Sequence, residues 1–342
     1  GAGLLEAPLN YIKEAGVAYE LISDLAAEPT CDQAQDVVDE FRNKGCDFIV
    51  AVGGGSVMDT AKLCSILATD EYQVRDLLDN PKLAKKCVKS LMIPTTAGTG
   101  AEATPNAIVA VPEKELKVGI VNDEMIPDYV ILDGEMIKNL PRKIAASTGI
   151  DAMAHAIECF TSNKANPFSD TFALKAFDLI INNIEAACDD KTADDARNNM
   201  LIAAFYAGVA ITASGTTAVH ALSYPLGGKY HIPHGVSNAI MLAPVMKFNE
   251  PVVREKFAAA YDRVNHNGDA SLSVEEKSAW VLDRMCSIIK HLDIPTSLKE
   301  YGVSKDDLDF LVTAGMDVQR LLVNNMRKVT AEDARALYLE IL

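Results

Sequence analysis

Three of the six histidines in this 342-residue sequence lie within the stretch "HALSYPLGGKYHIPHG", which holds His220, His231 and His234. A fourth, His155, follows Asp151 by four residues in "GIDAMAHAIE". On a helix that spacing places both side chains on one face, here among Ala, Met and Ile. One carboxylate and three imidazoles from separate segments form a ligand set that suits a divalent first-row metal, Fe²⁺ or Zn²⁺. The sequence therefore predicts a metal site made of Asp151, His155, His220 and His234.

These residues also have a purely structural interpretation. Asp151 would be favoured by the helix dipole in the first turn of a helix, with His155 an ordinary buried histidine. We place His234 at a turn from whose opposite sides two histidines reach one ion, and Pro225, Gly227 and Gly228 are predicted to allow that turn. The other histidines, His231, His266 and His291, are predicted to lie at the surface. An alternative interpretation of His231 is a supporting role beside the metal site.

Two glycine-rich turns follow predicted strands, in "AVGGGSVMDTAK" and "PTTAGTGAEAT". Without Cβ atoms, glycines allow backbone N–H groups to approach a diphosphate, and a helix that follows presents its positive N-terminal end. Ser56 can cap that helix, and Asp59 can complete a capping box. Taken alone, either turn could equally be an ordinary connection after a strand, without a role in binding. Two of them at the C-terminal ends of strands in one sheet predict a dinucleotide site.

The elements that must position these residues change in character near Leu140. Before it, short β-rich runs alternate with helical segments: strands are predicted at 17–22, 47–56, 89–100 (ending in a loop), 107–112, 116–121 and 129–133, and helices at 31–45 and 57–69. After it, apolar-periodic helices are predicted, including 168–187, 195–213, 272–292 and 328–341. We expect an α/β dinucleotide-binding domain over 1–138, with a doubly wound parallel sheet, and an all-helical metal-binding domain over 139–342. A doubly wound fold normally begins with a strand, but this chain opens in a predicted helix, so we expect the first strand to be missing from these 342 residues.

Composition excludes several classes of function. The formal charge of −16 argues against a surface that binds nucleic acid or anionic lipid. The sequence contains no apolar run of the roughly 20 residues that a membrane span needs, and its start does not resemble a secretory signal. Seven cysteines, an odd number with no CxxC pair, indicate free thiols in a reducing cytoplasm.

Four ordered blocks resemble the iron-containing (group III) alcohol dehydrogenases: "GGGSVMDTAK", "IPTTAGTGAE", "LPRKIAASTGIDAMAHAIECFTS" and "HALSYPLGGKYHIPHGVSNAI". The resemblance covers nearly the whole chain and implies a cleft between a dinucleotide-binding domain and a helical metal domain. It implies the same four metal ligands, with Fe²⁺, Zn²⁺ or another divalent ion. It also implies that the cofactor contacts are Gly54, Gly55, Ser56, Thr95, Thr96, Thr99 and Lys117. We add Asp59, from the first glycine-rich turn, to these candidates. A homo-oligomer, a dimer or larger, is expected from the resemblance alone.

The chain departs from the family pattern in three places. Tyr224 stands where many members have a histidine with a role beside the nicotinamide or in proton relay, and a tyrosine hydroxyl can hydrogen-bond but does not titrate near neutral pH. Tyr224 is therefore the weakest of the catalytic candidates. The acidic residue that distinguishes NAD from NADP has no counterpart, so the cofactor is NAD or NADP. The usual "PNPT" is "AEPT" at 27–30.

The resemblance implies reversible hydride transfer between a nicotinamide and a small alcohol or aldehyde. Hydroxyls at Ser214, Thr216 and Thr217 either pack the helices or face the pocket, and in the second case they would favour a small polar or anionic aldehyde. Two alternatives stay open. One is a Zn²⁺ enzyme of the same fold, similar to glycerol dehydrogenase or 3-dehydroquinate synthase, and the other is a metal- or nucleotide-binding protein without catalysis.

Overall fold

The computed structural model describes residues 3–114 and 116–342, and the chain divides into two compact units. The first comprises the chain up to Thr96 together with Ala101–Ile137, and the second comprises Ala97–Gly100 and Lys138–Leu342. The first is mixed α/β with a parallel sheet and the second is helical, which confirms the predicted fold class. Part of the second glycine-rich turn, Ala97–Gly100, thus belongs to the helical unit.

The first unit contains two small sheets. Its strands are β1 (Phe48–Gly53), β2 (Lys89–Pro94), β3 (Asn106–Val111), β4 (Leu116–Val121) and β5 (Tyr129–Val130). Strands β1, β2 and β5 form a parallel sheet in the order β1-β2-β5, whereas β3 and β4 form a separate antiparallel pair. The prediction that these two runs join the parallel sheet is therefore wrong. A parallel crossover needs a dozen or more residues, and only 112–115 connect them.

The helices of the first unit are α1 (Glu6–Glu14), α2 (Cys31–Lys44), α3 (Gly55–Ile66) and α4 (Asp76–Asp79). The α2 helix begins with a capping box between Thr30 and Gln33 and ends at Gly45, whose φ of 61° is left-handed, as the sequence predicts. The predicted strand at 17–22 is wrong, because this segment finds no partner for a β-ladder among the described strands. The strand predicted over 129–133 is limited to Tyr129–Val130.

One face of the first unit packs around α3. Leu63 and Leu67 are buried against Val109 of β3 and Ile120 of β4. The core therefore joins α3 to the antiparallel pair, and it fixes the direction in which the N-terminal end of α3 points.

The second unit contains α5 (Arg142–Phe160), α6 (Pro167–Asp189), α7 (Asp194–Ser214), α8 (Ala218–Tyr230), α9 (His234–Val264), α10 (Val274–His291), α11 (Leu308–Asp317), α12 (Gln319–Leu322) and α13 (Ala331–Ile341). The four helices predicted by periodicity correspond to α6, α7, α10 and α13. Within the described residues no single helix has the length and hydropathy of a membrane span. Only α7 and α8 taken together meet these two criteria, and the two helices are bent by 106° relative to each other.

Helix α5 is the central element of the second unit. It packs against α6, α7 and α9, and every residue from Gly149 to Phe160 is buried. Alanines allow this close packing, yet the buried stretch also contains Asp151, His155 and Glu158. Burying ionisable groups is costly unless they are paired or coordinate a metal. Because α5 begins at Arg142, Asp151 lies mid-helix, and its interpretation as a first-turn residue is wrong.

Candidate metal centre and glycine-rich turns

The four predicted metal ligands converge in the second unit. The Nε2 atoms of His155, His220 and His234 lie 3.8, 3.7 and 3.6 Å from Oδ1 of Asp151. One ligand atom from each residue lies within 4.8 Å of every other. Ligands at about 2.0–2.2 Å from an ion are about 3.3–3.6 Å apart in a tetrahedron. The three distances from Asp151 are therefore only slightly wider than a bound divalent metal requires.

Three helices supply these side chains. Helix α5 presents Asp151 and His155, and α8 presents His220, whose ring stacks on that of His155 with centroids 4.6 Å apart. His234 is the first residue of α9, directly after Pro233. The connection between α8 and α9 is made by His231, which caps α8 with a left-handed φ of 54°.

The turn therefore lies at 231–233, beyond the residues predicted to form it. The predicted turn-forming residues Pro225, Gly227 and Gly228 all lie within α8, so that part of the prediction is wrong. His231 is exposed, as are His266 and His291, which agrees with the predicted surface positions.

Glu158 supports the site and was not predicted from the sequence. Its Oε1 accepts hydrogen bonds from the backbone N–H groups of Thr217 (3.0 Å) and Val219 (2.9 Å) and from the Thr217 hydroxyl (2.7 Å). Its Oε2 pairs with Nδ1 of His220. A proton held on Nδ1 leaves the Nε2 lone pair free for a metal, which is the usual arrangement for a metal-binding histidine.

The charges of these groups act strongly on one another. Burial would raise the pKa of Asp151, but the three neighbouring histidines hold it well below its usual range. Burial opposes the charged form of His220, yet the carboxylates of Glu158 and Asp151 outweigh it and raise the pKa of His220 to about 10. Burial lowers the pKa of His155. When the imidazoles are neutral, as metal binding requires, the two buried carboxylates give the site a charge that matches a divalent cation.

Asn238 lies at the middle of the donor set. Its amide Nδ2 donates to Asp151 Oδ1 at 2.6 Å and lies 3.1 Å from Nε2 of both His220 and His234. Its Oδ1 accepts from the Ser223 hydroxyl at 2.5 Å, which fixes the direction of the amide. These three atoms around Nδ2 are all electron-pair donors. Such a concentration of electron-pair donors fits a metal cation, so the residues present fit the group that the sequence implies.

The other polar residues predicted near the site have separate partners. The Ser214 hydroxyl lies 3.1 Å from the carbonyl oxygens of Cys159 and Ala210, to which its single proton can be donated, and the Thr217 hydroxyl donates to Glu158. Both hydroxyls therefore have structural roles, and neither serves as a pocket hydroxyl. Thr216 is buried. The Tyr224 ring lies 6.1 Å from that of His234, and its hydroxyl accepts from Arg320.

In the first unit the structure brings the two glycine-rich turns to one edge of the parallel sheet. Gly53 and Pro94, the last residues of β1 and β2, are paired in register, and Thr95 N–H donates to the Gly53 carbonyl at 2.9 Å. A Cβ on Gly54 would lie 3.3 Å from the Thr96 hydroxyl. Helix α3 begins at Gly55 with no side-chain cap, so its first N–H groups face this edge.

The remaining cofactor candidates make contacts of their own. Ser56 lies inside α3 and its hydroxyl accepts from Glu28 N–H, so the predicted capping box is wrong. Asp59 pairs with the buried Lys62 at 2.9 Å and accepts from the Ile108 N–H. Lys117 pairs with Glu28 at 2.7 Å.

Thr99 belongs to the segment 97–100, which packs with the helical unit. Gly100, in the same segment, has a φ of +60°, and a Cβ there would lie 2.6 Å from the carbonyl oxygen of Ala204 in α7. The backbone of this turn is therefore fixed against α7.

Comparison with known proteins gives a consistent assignment along the chain. A family model described as iron-containing alcohol dehydrogenase matches residues 1–134, and one described as the C-terminal part of the Fe-containing alcohol dehydrogenase family matches residues 145–342. Long-chain-alcohol dehydrogenase 1 of Geobacillus thermodenitrificans is 31% identical over 339 residues, 98% of this chain and 85% of that protein. Sulfoacetaldehyde reductase of Bilophila wadsworthia is 34% identical over 328 residues, 94% and 84% of the two chains. The solved structure of an alcohol dehydrogenase from Oenococcus oeni matches with a TM-score of 0.93 at 28% identity, over 100% of this chain and 88% of that one.

Proposed function

Because this chain belongs to the iron-containing alcohol dehydrogenase family and is an oxidoreductase, we propose that it interconverts a small polar aldehyde and its primary alcohol. In the direction of reduction, a hydride passes from C4 of a reduced nicotinamide, NADH or NADPH, to the carbonyl carbon. A proton is taken up at the oxygen, and the products are the alcohol and the oxidised nicotinamide.

The observation that carries this proposal is the convergence of Asp151 Oδ1 with three imidazole Nε2 atoms within 4.8 Å. These residues would hold a divalent metal, Fe²⁺ or Zn²⁺. When bound, such an ion supplies Lewis-acid polarisation of the carbonyl oxygen, which stabilises the developing alkoxide by several kcal/mol.

The chain's own residues prepare the site for that chemistry. Glu158 holds the His220 ring in the orientation and tautomer in which Nε2 faces Asp151. Ser223 holds Asn238 so that its amide donates to Asp151. The low exposure of Asp151, His155 and His220 excludes water from three sides of the site, which strengthens every charge interaction within it.

The first unit supplies the features that a dinucleotide needs. The uncapped N-terminus of α3 and the adjoining turn after β2 offer backbone N–H groups and the hydroxyls of Thr95 and Thr96 at one sheet edge. We assign the diphosphate to this edge, with Gly54, Gly55 and Ser56 as backbone contacts. Asp59, Thr99 and Lys117 remain cofactor candidates, and Asp59 and Lys117 already have ionic partners of their own.

The names of the relatives span long-chain alcohols and sulfoacetaldehyde. The choice of a small polar substrate therefore depends on this chain's own residues. The Tyr224 ring lies 6.1 Å from that of His234, and Arg320 donates to the Tyr224 hydroxyl. A hydroxyl and a cation in this position favour a polar substrate over a hydrocarbon chain.

The test is the substitution His234→Ala, with His266→Ala as the control at an exposed histidine outside the site. Elemental analysis of the purified protein and nicotinamide absorbance with a panel of short aldehydes are measured together, with added Fe²⁺ or Zn²⁺. We expect His234→Ala to lose most of its metal and at least about 100-fold in turnover, because one of four ligands is removed. The control variant, His266→Ala, should keep its metal content and its turnover. Full metal content and full turnover in His234→Ala would refute the assignment.

A further inference from the structure

One side of the metal centre is open, and a tyrosine and an arginine lie on that side. His234 has 32% of its side chain exposed, whereas the other three ligands are 2–6% exposed. The Tyr224 ring lies 6.1 Å from the His234 ring. Helix α12 packs on α8 and brings Arg320 over the same tyrosine, with Cζ 5.8 Å from the ring centroid. A molecule approaching His234 therefore meets Tyr224 and Arg320.

The charge of Arg320 is not compensated by any carboxylate in the described part of the chain. Eight of the ten arginines form ion pairs with Asp or Glu. A ninth, Arg327, stacks on Phe248 and donates to its carbonyl. Arg320 is exposed, and its hydrogen bond goes to the neutral Tyr224 hydroxyl at 3.3 Å. The other N–H groups of its guanidinium remain available to a ligand.

From this arrangement we propose that Arg320 binds an anionic group, carboxylate or sulfonate, at the end of the aldehyde substrate opposite the reacting carbonyl. The planar fork of a guanidinium matches both groups with two parallel N–H···O bonds. Tyr224 holds one arm of the fork through its hydroxyl and leaves the other arm free. The inference rests on the proposed function and adds its substrate class, short aldehydes with one negative charge.

The distances agree with a short substrate. The two separations through Tyr224 place the guanidinium carbon no more than about 12 Å from the His234 ring. A chain of about four carbons spans roughly 5 Å between its polar ends, and a charge-assisted hydrogen bond adds about 2.8 Å at the guanidinium. This upper bound is compatible with a two- to four-carbon aldehyde between Arg320 and the metal ligands, whereas a much longer extended chain would carry its anion beyond the guanidinium.

Local charge matters here because the protein as a whole repels anions. The formal net charge is −16, so the long-range field opposes an anionic substrate. Arg320 offsets that opposition at short range. The charge on the substrate then distinguishes it from neutral aldehydes of equal length.

The experiment compares 4-oxobutanoate, its neutral methyl ester and sulfoacetaldehyde as substrates of the metal-loaded enzyme and of Arg320→Gln. Arg320→Lys keeps the charge without the fork. Arg335→Gln is the matched control, because Arg335 is also exposed but is paired with Asp309. Metal content and melting temperature are measured on each variant, and the affinity of the product 4-hydroxybutanoate is measured by calorimetry.

We expect the parent enzyme to prefer 4-oxobutanoate to the ester in kcat/KM. Arg320→Gln should lower kcat/KM for both anions by about 10- to 100-fold, mainly through KM, because a charged hydrogen-bonded contact far from the reacting carbon is lost. The value for the ester should change by less than about threefold, and product affinity should fall in parallel. Arg320→Lys should be intermediate. A loss confined to one anion assigns the site to carboxylate or to sulfonate.

Two results would overturn the inference while leaving the proposed function intact. One is a parent enzyme that reduces the ester as well as 4-oxobutanoate, and the other is Arg320→Gln with unchanged preference and product affinity. If the parent protein with bound metal oxidises no nicotinamide with any aldehyde, the proposed function itself fails, and the inference fails with it.

Discussion

Replacing Glu158 with Gln tests whether the carboxylate that pairs with His220 Nδ1 contributes to metal affinity. The Glu158 carboxylate accepts four hydrogen bonds at one oxygen and pairs with His220 Nδ1 through the other. A glutamine whose oxygen accepts from the same donors must turn its NH₂ toward His220 Nδ1. Nδ1 then becomes an acceptor, the ring proton moves to Nε2, and the metal loses a ligand atom. We therefore expect a loss of about 10- to 100-fold in metal affinity, or about 1.4–2.7 kcal/mol.

If the glutamine adopts the opposite orientation, its NH₂ faces the N–H groups of Thr217 and Val219. That arrangement leaves buried donors without acceptors and costs about 1–3 kcal/mol of folding free energy. Either orientation therefore leaves a measurable effect.

The assay is competition for Zn²⁺ between the protein and a chromophoric chelator, with urea unfolding measured in parallel. Glu102→Gln is the control, because Glu102 is also a fully buried carboxyl but belongs to the first unit. Its metal affinity should equal that of the parent protein. The reasoning is refuted if Glu158→Gln binds Zn²⁺ within about threefold of the parent and unfolds at the same urea concentration.

Two further predictions concern stability. Lys62 is fully buried, pairs with Asp59 and donates to backbone carbonyls. Lys62→Met should therefore lower the free energy of unfolding by about 3–5 kcal/mol, because it leaves the Asp59 carboxylate without its partner. A loss under about 1 kcal/mol in urea unfolding would contradict this account. Gly100→Ala should cost roughly 3 kcal/mol, because its positive φ and the close Ala204 carbonyl both oppose a Cβ. Gly302→Ala, with φ +70° and open space, should cost only about 1 kcal/mol, and equal losses in the two variants would show that the contact with α7 is unimportant.

The convergence of the four proposed metal ligands could be predicted because their chemistry is rare and their spacing is local. Asp151 and His155 share a helix face at a spacing of four, and histidines are scarce in this chain. Glu158 lies on the same face, three residues after His155 and seven after Asp151, so the same rule could have found it. Asn238 likewise follows His234 by four residues on α9.

Arg320 has no such local signal. It lies 96 residues from Tyr224, and the contact between them arises from the packing of α12 on α8. Periodicity describes one helix at a time. It does not indicate which surfaces of two helices meet.

The errors in the first unit arise from the same limitation. Alternation at 17–22 is typical of a strand, but a strand forms only where a neighbour offers hydrogen bonds. The antiparallel pairing of β3 and β4 could have been predicted from the sequence, because their connection is too short for a parallel crossover. The predicted capping box of Ser56 and Asp59 is wrong because the helix starts two residues earlier, which places Ser56 within it and leaves Asp59 to pair with Lys62.

Helix α5 shows why the polar residues of the site are best understood through a cation. Three ionisable side chains lie in its fully buried stretch, and apolar residues of equal volume would pack there at lower cost. With neutral imidazoles, Asp151 and Glu158 leave two negative charges in the interior. A single proton on His220 offsets one of them, whereas a divalent metal offsets both and uses the three Nε2 lone pairs as well. Binding of a dication, as we propose, would therefore account for the composition of α5, which packing alone does not.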